Sequence, residues 1–198
     1  MEDTYLTIAE TSEGLYKEKG SKFLAFAYPV KTEEEVKMHL ENLSKKYYDA
    51  RHHCYAYLLG DNPPIYRAYD DGEPNHSAGD PILGQIRSRN LTDVLVVVVR
   101  YFGGTKLGVG GLVSAYKTAA SLALDTNRIQ TVIRKEIIRL RYEYQDTAEV
   151  MRLINQLEVE IISQDFREFC TASLSCRLKN VDIVQAELKA NPSVTIID

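Results

Sequence analysis

The stretch Asp93 to Phe102 reads DVLVVVVRYF, and from Val94 to Val99 it holds no polar residue. A nearly unbroken run of β-branched residues suits an extended backbone and leaves neither side of the strand fit for water. The strand is therefore buried on both faces and central in its sheet. A helix follows from Gly111, with Leu112, Tyr116, Ala119, Ala120 and Ala123 turned against that sheet.

Upstream, TYLTIAE, SKFLAFAYPV and HCYAYLLG read as further strands. Between the last two, Thr32 and Glu35 form a capping box ahead of Val36, Leu40, Leu43 and Tyr47, which predicts a helix with His39 on its exposed side. The chain beyond residue 131 has its own order. EIIRLRYEY alternates, Asp146 and Glu149 mark a helix start before Val150, Leu153, Ile154 and Leu157, and VEIIS and CTASLSCRL read as strands. A helix over residues 181–190 and a last strand, SVTII, complete β-α-β-β-α-β, a ferredoxin-like unit. The expected fold class is thus α+β in two domains, 1–130 and 131–198.

Composition sets the remaining bounds. In 198 residues, 44% hydrophobic content is enough for packed cores without a disulfide or metal staple. The three cysteines, Cys54, Cys170 and Cys176, lack metal-ligand spacing, and the last two face the core of one strand. No run is long enough to span a membrane, and MEDTYLTIAE has acids where a signal peptide needs bases, so a cytoplasmic location is expected. The net charge of −4 argues against a protein dedicated to coating nucleic acid and leaves local basic patches open.

Two loops carry the candidate chemistry. GGTKLGVGG lies between the central strand and a helix, where glycine amides, the helix N-terminus and Lys106 would surround an anion. Gly103 to Gly108 has Walker spacing but is followed by Val109-Gly110, and no G-x-G-x-x-G occurs, so a standard nucleotide fold is excluded. Five glycines also serve tight turning and close helix–sheet packing. DDGEPNHSAG, from Asp70 to Gly79, offers carboxylates for a divalent cation, His76 as a base on Ser77, or a capped turn in which Ser77 or Asp80 starts a helix over Ile82, Leu83 and Ile86. The two loops are expected to form one surface. Its ligand-binding set is Asp71, Glu73, His76, Arg100, Gly103, Gly104, Lys106, Gly108, Gly110 and Gly111, with the carboxylates holding a cation or orienting Arg100. A second candidate is the open face of the ferredoxin-like sheet, where Arg139, Arg141 and Arg177 stand beside Thr171, Ser173 and Ser175 and suit phosphate oxygens. Stacking aromatics are absent from those outward positions.

KGSKFLA, ARHHCYAY, DDGEPNHSAGDPIL and VVVVRYFGGTKLGVGGLVSAY together resemble the signature blocks of the IMPACT family, in its bacterial YigZ-type branch, across nearly the whole chain. The resemblance departs at Asn75, His76 and Ser77, where the family loop usually has Ser-Gly-Thr. It implies a first domain like the second domain of ribosomal protein S-five, followed by a ferredoxin-like domain similar to one in elongation factor G. It also implies a translation-associated regulator that binds RNA or the ribosome. Eukaryotic relatives act in translational control by interfering with activation of an initiation-factor kinase, but they carry an additional N-terminal protein-binding domain that this sequence does not show. The alternative is an enzyme acting on a phosphorylated small molecule or nucleotide at the glycine-rich loop, and a third reading is a purely protein-binding regulator. No catalytic residue, cofactor or metal is assigned.

Overall fold

The computed structural model describes residues 3–60, 63–167 and 169–197. The chain divides into two compact units, residues 6–131 and residues 132–198 joined by the segment ending at Tyr5. Among the described residues no helix is long and apolar enough to cross a membrane.

In chain order the elements up to residue 133 are β1 (Thr4–Ile8), β2 (Ser12–Glu18), β3 (Ser21–Pro29), α1 (Glu33–Lys46), β4 (His52–Leu59), β5 (Ile65–Tyr69), α2 (Gly79–Ser88), β6 (Val94–Tyr101), α3 (Gly108–Asp125) and β7 (Ile129–Ile133). Five of them form one antiparallel sheet in the order β2-β3-β6-β4-β5, with the valine-rich β6 in the middle. Both of its faces are covered, as an all-apolar strand requires. Leu95, Val97 and Val99 pack with Phe26, Tyr57, Val36 and Leu43 beneath α1. Val94, Val96 and Val98 point the other way, into a core shared with α2 and α3.

In that second core small residues line the contact between the strands and α3. Ala25, Ala27 and Ala56 on the strands meet Ala115, Ala119, Ala120 and Ala123 of α3, so helix and sheet approach closely. At Gly14 of β2 an added Cβ would lie 2.6 Å from the backbone nitrogen of Ala123. Only a glycine admits that approach.

The helix starts show how local sequence and tertiary contact share the work. Thr32 caps α1 as expected, its hydroxyl accepting from the Glu35 amide at 3.2 Å, but the Glu35 carboxylate accepts from the Lys31 amide at 2.6 Å rather than from the cap itself. His39 is half-buried, its ring stacked on Tyr28 at 4.1 Å, and burial lowers its pKa; the expected exposure fails because the aromatic partner reaches it from β3. β2 and β5, which the strand pattern did not mark, form the two edges of the sheet.

The second unit contains β8 (Lys135–Tyr142), α4 (Thr147–Gln156), β9 (Glu160–Phe166), β10 (Cys170–Arg177), α5 (Val181–Ala190) and β11 (Thr195–Ile197). Its sheet order, β11-β8-β10-β9, is ferredoxin-like, with the first and third strands of the unit at the centre. Ile138, Leu140, Ala172, Leu174 and Cys176 pack under Val150, Ile154, Val184 and Leu188 of the two helices. Asp146 makes no side-chain cap to α4. A 3-10 turn over Tyr144–Asp146 leads into the helix instead, and the Thr147 hydroxyl donates to the Tyr144 carbonyl at 2.6 Å.

Candidate functional site

The segment from Asp70 to Gly79 joins β5 to α2 and folds back on its own first residue. The Asp70 carboxylate accepts from the backbone amides of His76 (2.8 Å), Ala78 (2.9 Å) and Gly79 (2.8 Å). It thereby caps α2 from eight residues upstream, which corrects the expectation that Ser77 or Asp80 starts the helix. Partial burial pushes the Asp70 carboxyl up, but the three amides outweigh it and hold the group below the usual carboxylate range. The loop closes through left-handed backbone at Asp71, Gly72 and His76 (φ 43°, 82° and 64°).

Neighbouring side chains diverge from this capped turn. Asp71 turns to β4, where its carboxylate accepts from the His53 amide at 2.6 Å and its carbonyl accepts from Nδ1 of His52 at 2.8 Å. The Ser77 hydroxyl is buried and donates to the Pro74 carbonyl at 2.6 Å, while His76 is 81% exposed and its Nδ1 meets Asp80 at 2.5 Å. His76 therefore does not act on Ser77. Among the described residues no three histidine, cysteine or acidic side chains group as a metal site.

Glu73 takes the opposite course, into the core. Its Oε1 accepts from Arg100 Nη1 at 2.6 Å and from the Tyr116 hydroxyl at 2.8 Å, with 4% of the Glu73 side chain and 7% of the Arg100 side chain exposed. The Cys54 thiol lies 2.9 Å from the Asp70 carbonyl and 3.3 Å from the Tyr116 oxygen. Burial drives both the Cys54 thiol and the Tyr116 phenol up, so both stay neutral around a single ion pair. Arg100 is flanked by the rings of Phe23 and Phe102, 5.4 and 5.7 Å from their centroids, and its buried Nε has no hydrogen-bond partner among the described residues. The sequence reading assigned Glu73 and Arg100 together and missed Tyr116 and Cys54. A lone tyrosine on an otherwise alanine-rich helix face was the available signal for the first.

The glycine-rich segment begins where β6 ends. The Gly103 amide donates to the Ser21 hydroxyl at 3.1 Å, and a Cβ at Gly103 would fall 1.9 Å from the Gly20 carbonyl carbon, so this glycine serves close backbone packing. Gly104 and Gly108 take left-handed φ values of 89° and 73°, with open space where a side chain would be. Lys106 and Gly110 are exposed, and Gly111 lies in the first turn of α3. His52 pairs in register with Arg100, so both loops stand at one end of the sheet. There the residues Asp49 to His52 and Arg100 to Phe102 line a cleft of about 380 Å³.

In the second unit the outward residues lie in register: Arg139 opposite Ser173, and Arg141 opposite Thr171 and Thr195. Arg139 and Arg141 are exposed, and the Arg141 guanidinium stacks on the Phe169 ring, 3.3 Å from its centroid. An aromatic thus stands beside this face after all, from the residue just before β10. Arg177 is less free than expected, because its guanidinium is held by the Asp3 carboxylate.

Against known proteins, the Impact N-terminal domain model matches residues 19–124, just over half of the chain, covering four of the five strands of the first unit's sheet and the helices α1 to α3 as far as residue 124. The chain belongs to the IMPACT family. Its relatives there include IMPACT family member YvyE of Bacillus subtilis, 38% identical over 78% of this chain and 70% of YvyE. Another is IMPACT family member YigZ of Escherichia coli, 34% identical over 76% of this chain and 75% of YigZ. A crystal structure of a hypothetical protein superposes on 100% of this IMPACT chain and 98% of its own, with a TM-score of 0.75 and 28% identity.

Proposed function

We propose that this IMPACT family chain is a translation-associated regulator that binds RNA through the open face of its ferredoxin-like unit. The observation that carries the reading is the pair Arg139 and Arg141, exposed two residues apart on one face of β8, with no acidic partner among the described residues and with Thr171, Ser173 and Thr195 opposite them. Guanidinium groups among hydroxyl donors suit the phosphate backbone and carry no base code. Phe169 beneath Arg141 supplies one plane for stacking, too few for the base-by-base reading of an RRM-type sheet. The translational context rests on the family resemblance. A cytoplasmic setting belongs to the same reading.

The test is RNA binding by the full chain as a function of salt. Arg139→Ala with Arg141→Ala should weaken binding to unrelated RNA sequences alike and flatten the dependence of log affinity on log salt by about one to two units. Arg177→Ala, already spent on Asp3, should flatten it less. Unchanged affinity and slope in the double variant would exclude this face.

A further inference from the structure

The cleft at the end of the first unit's sheet holds a feature that the buried network does not use. Arg100 is only 6% exposed, one nitrogen is committed to Glu73, and its Nε has no partner among the described residues although the residue lines the cleft. A buried cationic donor left unpaired beside an open cavity costs free energy unless something completes it. Its surroundings indicate what that is. Arg51 also lines the cleft, exposed and without an ion pair among the described residues. His52 gives its Nδ1–H to the Asp71 carbonyl, which fixes its ring and leaves Nε2 as an acceptor for a ligand hydroxyl. Among the described residues Asp49 is the one carboxylate in the lining, and it is engaged by the Tyr101 hydroxyl at 2.7 Å. The remaining wall is Phe102, an aromatic ring 55% exposed.

From this we infer that the cleft binds a nucleoside monophosphate, with its phosphate received by Arg51 and Arg100 and its base laid on Phe102. Guanidinium donors match phosphate oxygens two at a time, and an exposed aromatic ring stacks any base without selecting among them. A volume of about 380 Å³ is in the range of small-molecule sites and far above that of a single water. The site is distinct from the glycine-rich loop, since neither Lys106 nor Gly104 lines it. It shares no residue with the proposed RNA face, so the two readings stand or fall independently.

Calorimetric titration of the full chain with AMP, adenosine and inorganic phosphate tests the inference. AMP should bind at least about tenfold more tightly than either adenosine or phosphate. Arg51→Ala, at an exposed position outside the buried network, should weaken AMP about tenfold without changing the melting temperature. Phe102→Ala should weaken AMP by a similar factor and leave phosphate unaffected. A 5′-phosphorylated RNA trinucleotide competing with AMP, while its 5′-hydroxyl counterpart does not, would make an RNA terminus the source of the phosphate. Failure of both to compete would make it the free nucleotide. Adenosine binding as tightly as AMP, full AMP affinity in Arg51→Ala, or no heat from any of the three probes would overturn the inference.

Discussion

Removing the Glu73 carboxylate is the sharpest perturbation of the first unit, because every group it holds is cut off from water. Glu73→Ala leaves the Arg100 guanidinium buried with no counter-charge and takes the acceptor from the Tyr116 hydroxyl. Breaking one side of a buried ion pair costs about 3–5 kcal/mol, and an orphaned hydroxyl adds about 1 kcal/mol or more. A loss of about 4–6 kcal/mol is a large part of the 5–15 kcal/mol that typically holds a domain folded. Deleting the charges together should cost much less: Glu73→Leu with Arg100→Met replaces a desolvated pair by apolar volume, a change often close to neutral. Urea unfolding at constant m-value gives the total loss, and hydrogen exchange at the β6 amides assigns it to the first unit. A cost below about 1 kcal/mol for Glu73→Ala, or a double variant no more stable than that single one, would show that the pair is not the desolvated linchpin its burial implies.

Asp70→Ala should cost about 1 kcal/mol at neutral pH by uncapping α2. Because the folded-state pKa of Asp70 is depressed, its contribution is present above the ordinary carboxylate pKa and disappears as pH falls through the lower folded value; thermal melts across acid pH should show that limb in the native chain and not in the variant. The thiols of Cys54, Cys170 and Cys176 are all buried, and burial raises those of Cys54 and Cys176, so a disulfide reagent at neutral pH should modify none in the native chain and all three on unfolding. Rapid reaction of one thiol without unfolding would contradict the packing described.

What could be read from the sequence divides along physical lines. β6 was legible because a strand apolar on both sides has one environment open to it, and the second unit because its two central strands, β8 and β10, alternate between core and solvent. β5 was not, since Ile65 to Tyr69 lies at an edge with nearly every side chain exposed, and an edge strand needs no alternation. The start of α2 was misread for a different reason: its cap is Asp70, brought in by a loop closure that no short spacing encodes. At the site, Glu73 and Arg100 were grouped as chemically capable residues near two loops, while the Tyr116 and Cys54 contacts depend on helix–sheet packing across tens of residues of chain. Arg177 looked free because its partner, Asp3, lies at the far end of the sequence.

The placement of β6 has a consequence for how the chain is made. Its two neighbours, β3 and β4, each pair on their other side with a strand adjacent in sequence, β2 and β5, so two hairpins are complete while β6 is still unsynthesised. Each hairpin then presents an open apolar edge with nothing to join. The arrival of Val94 to Tyr101 closes both edges at once and sets Arg100 opposite Phe23 and His52, but Tyr116 must follow on α3 before Glu73 has both of its donors. On the ribosome, the nascent chain therefore exposes two unfinished half-sheets until its middle emerges, and the cleft and its buried ion pair cannot exist before then.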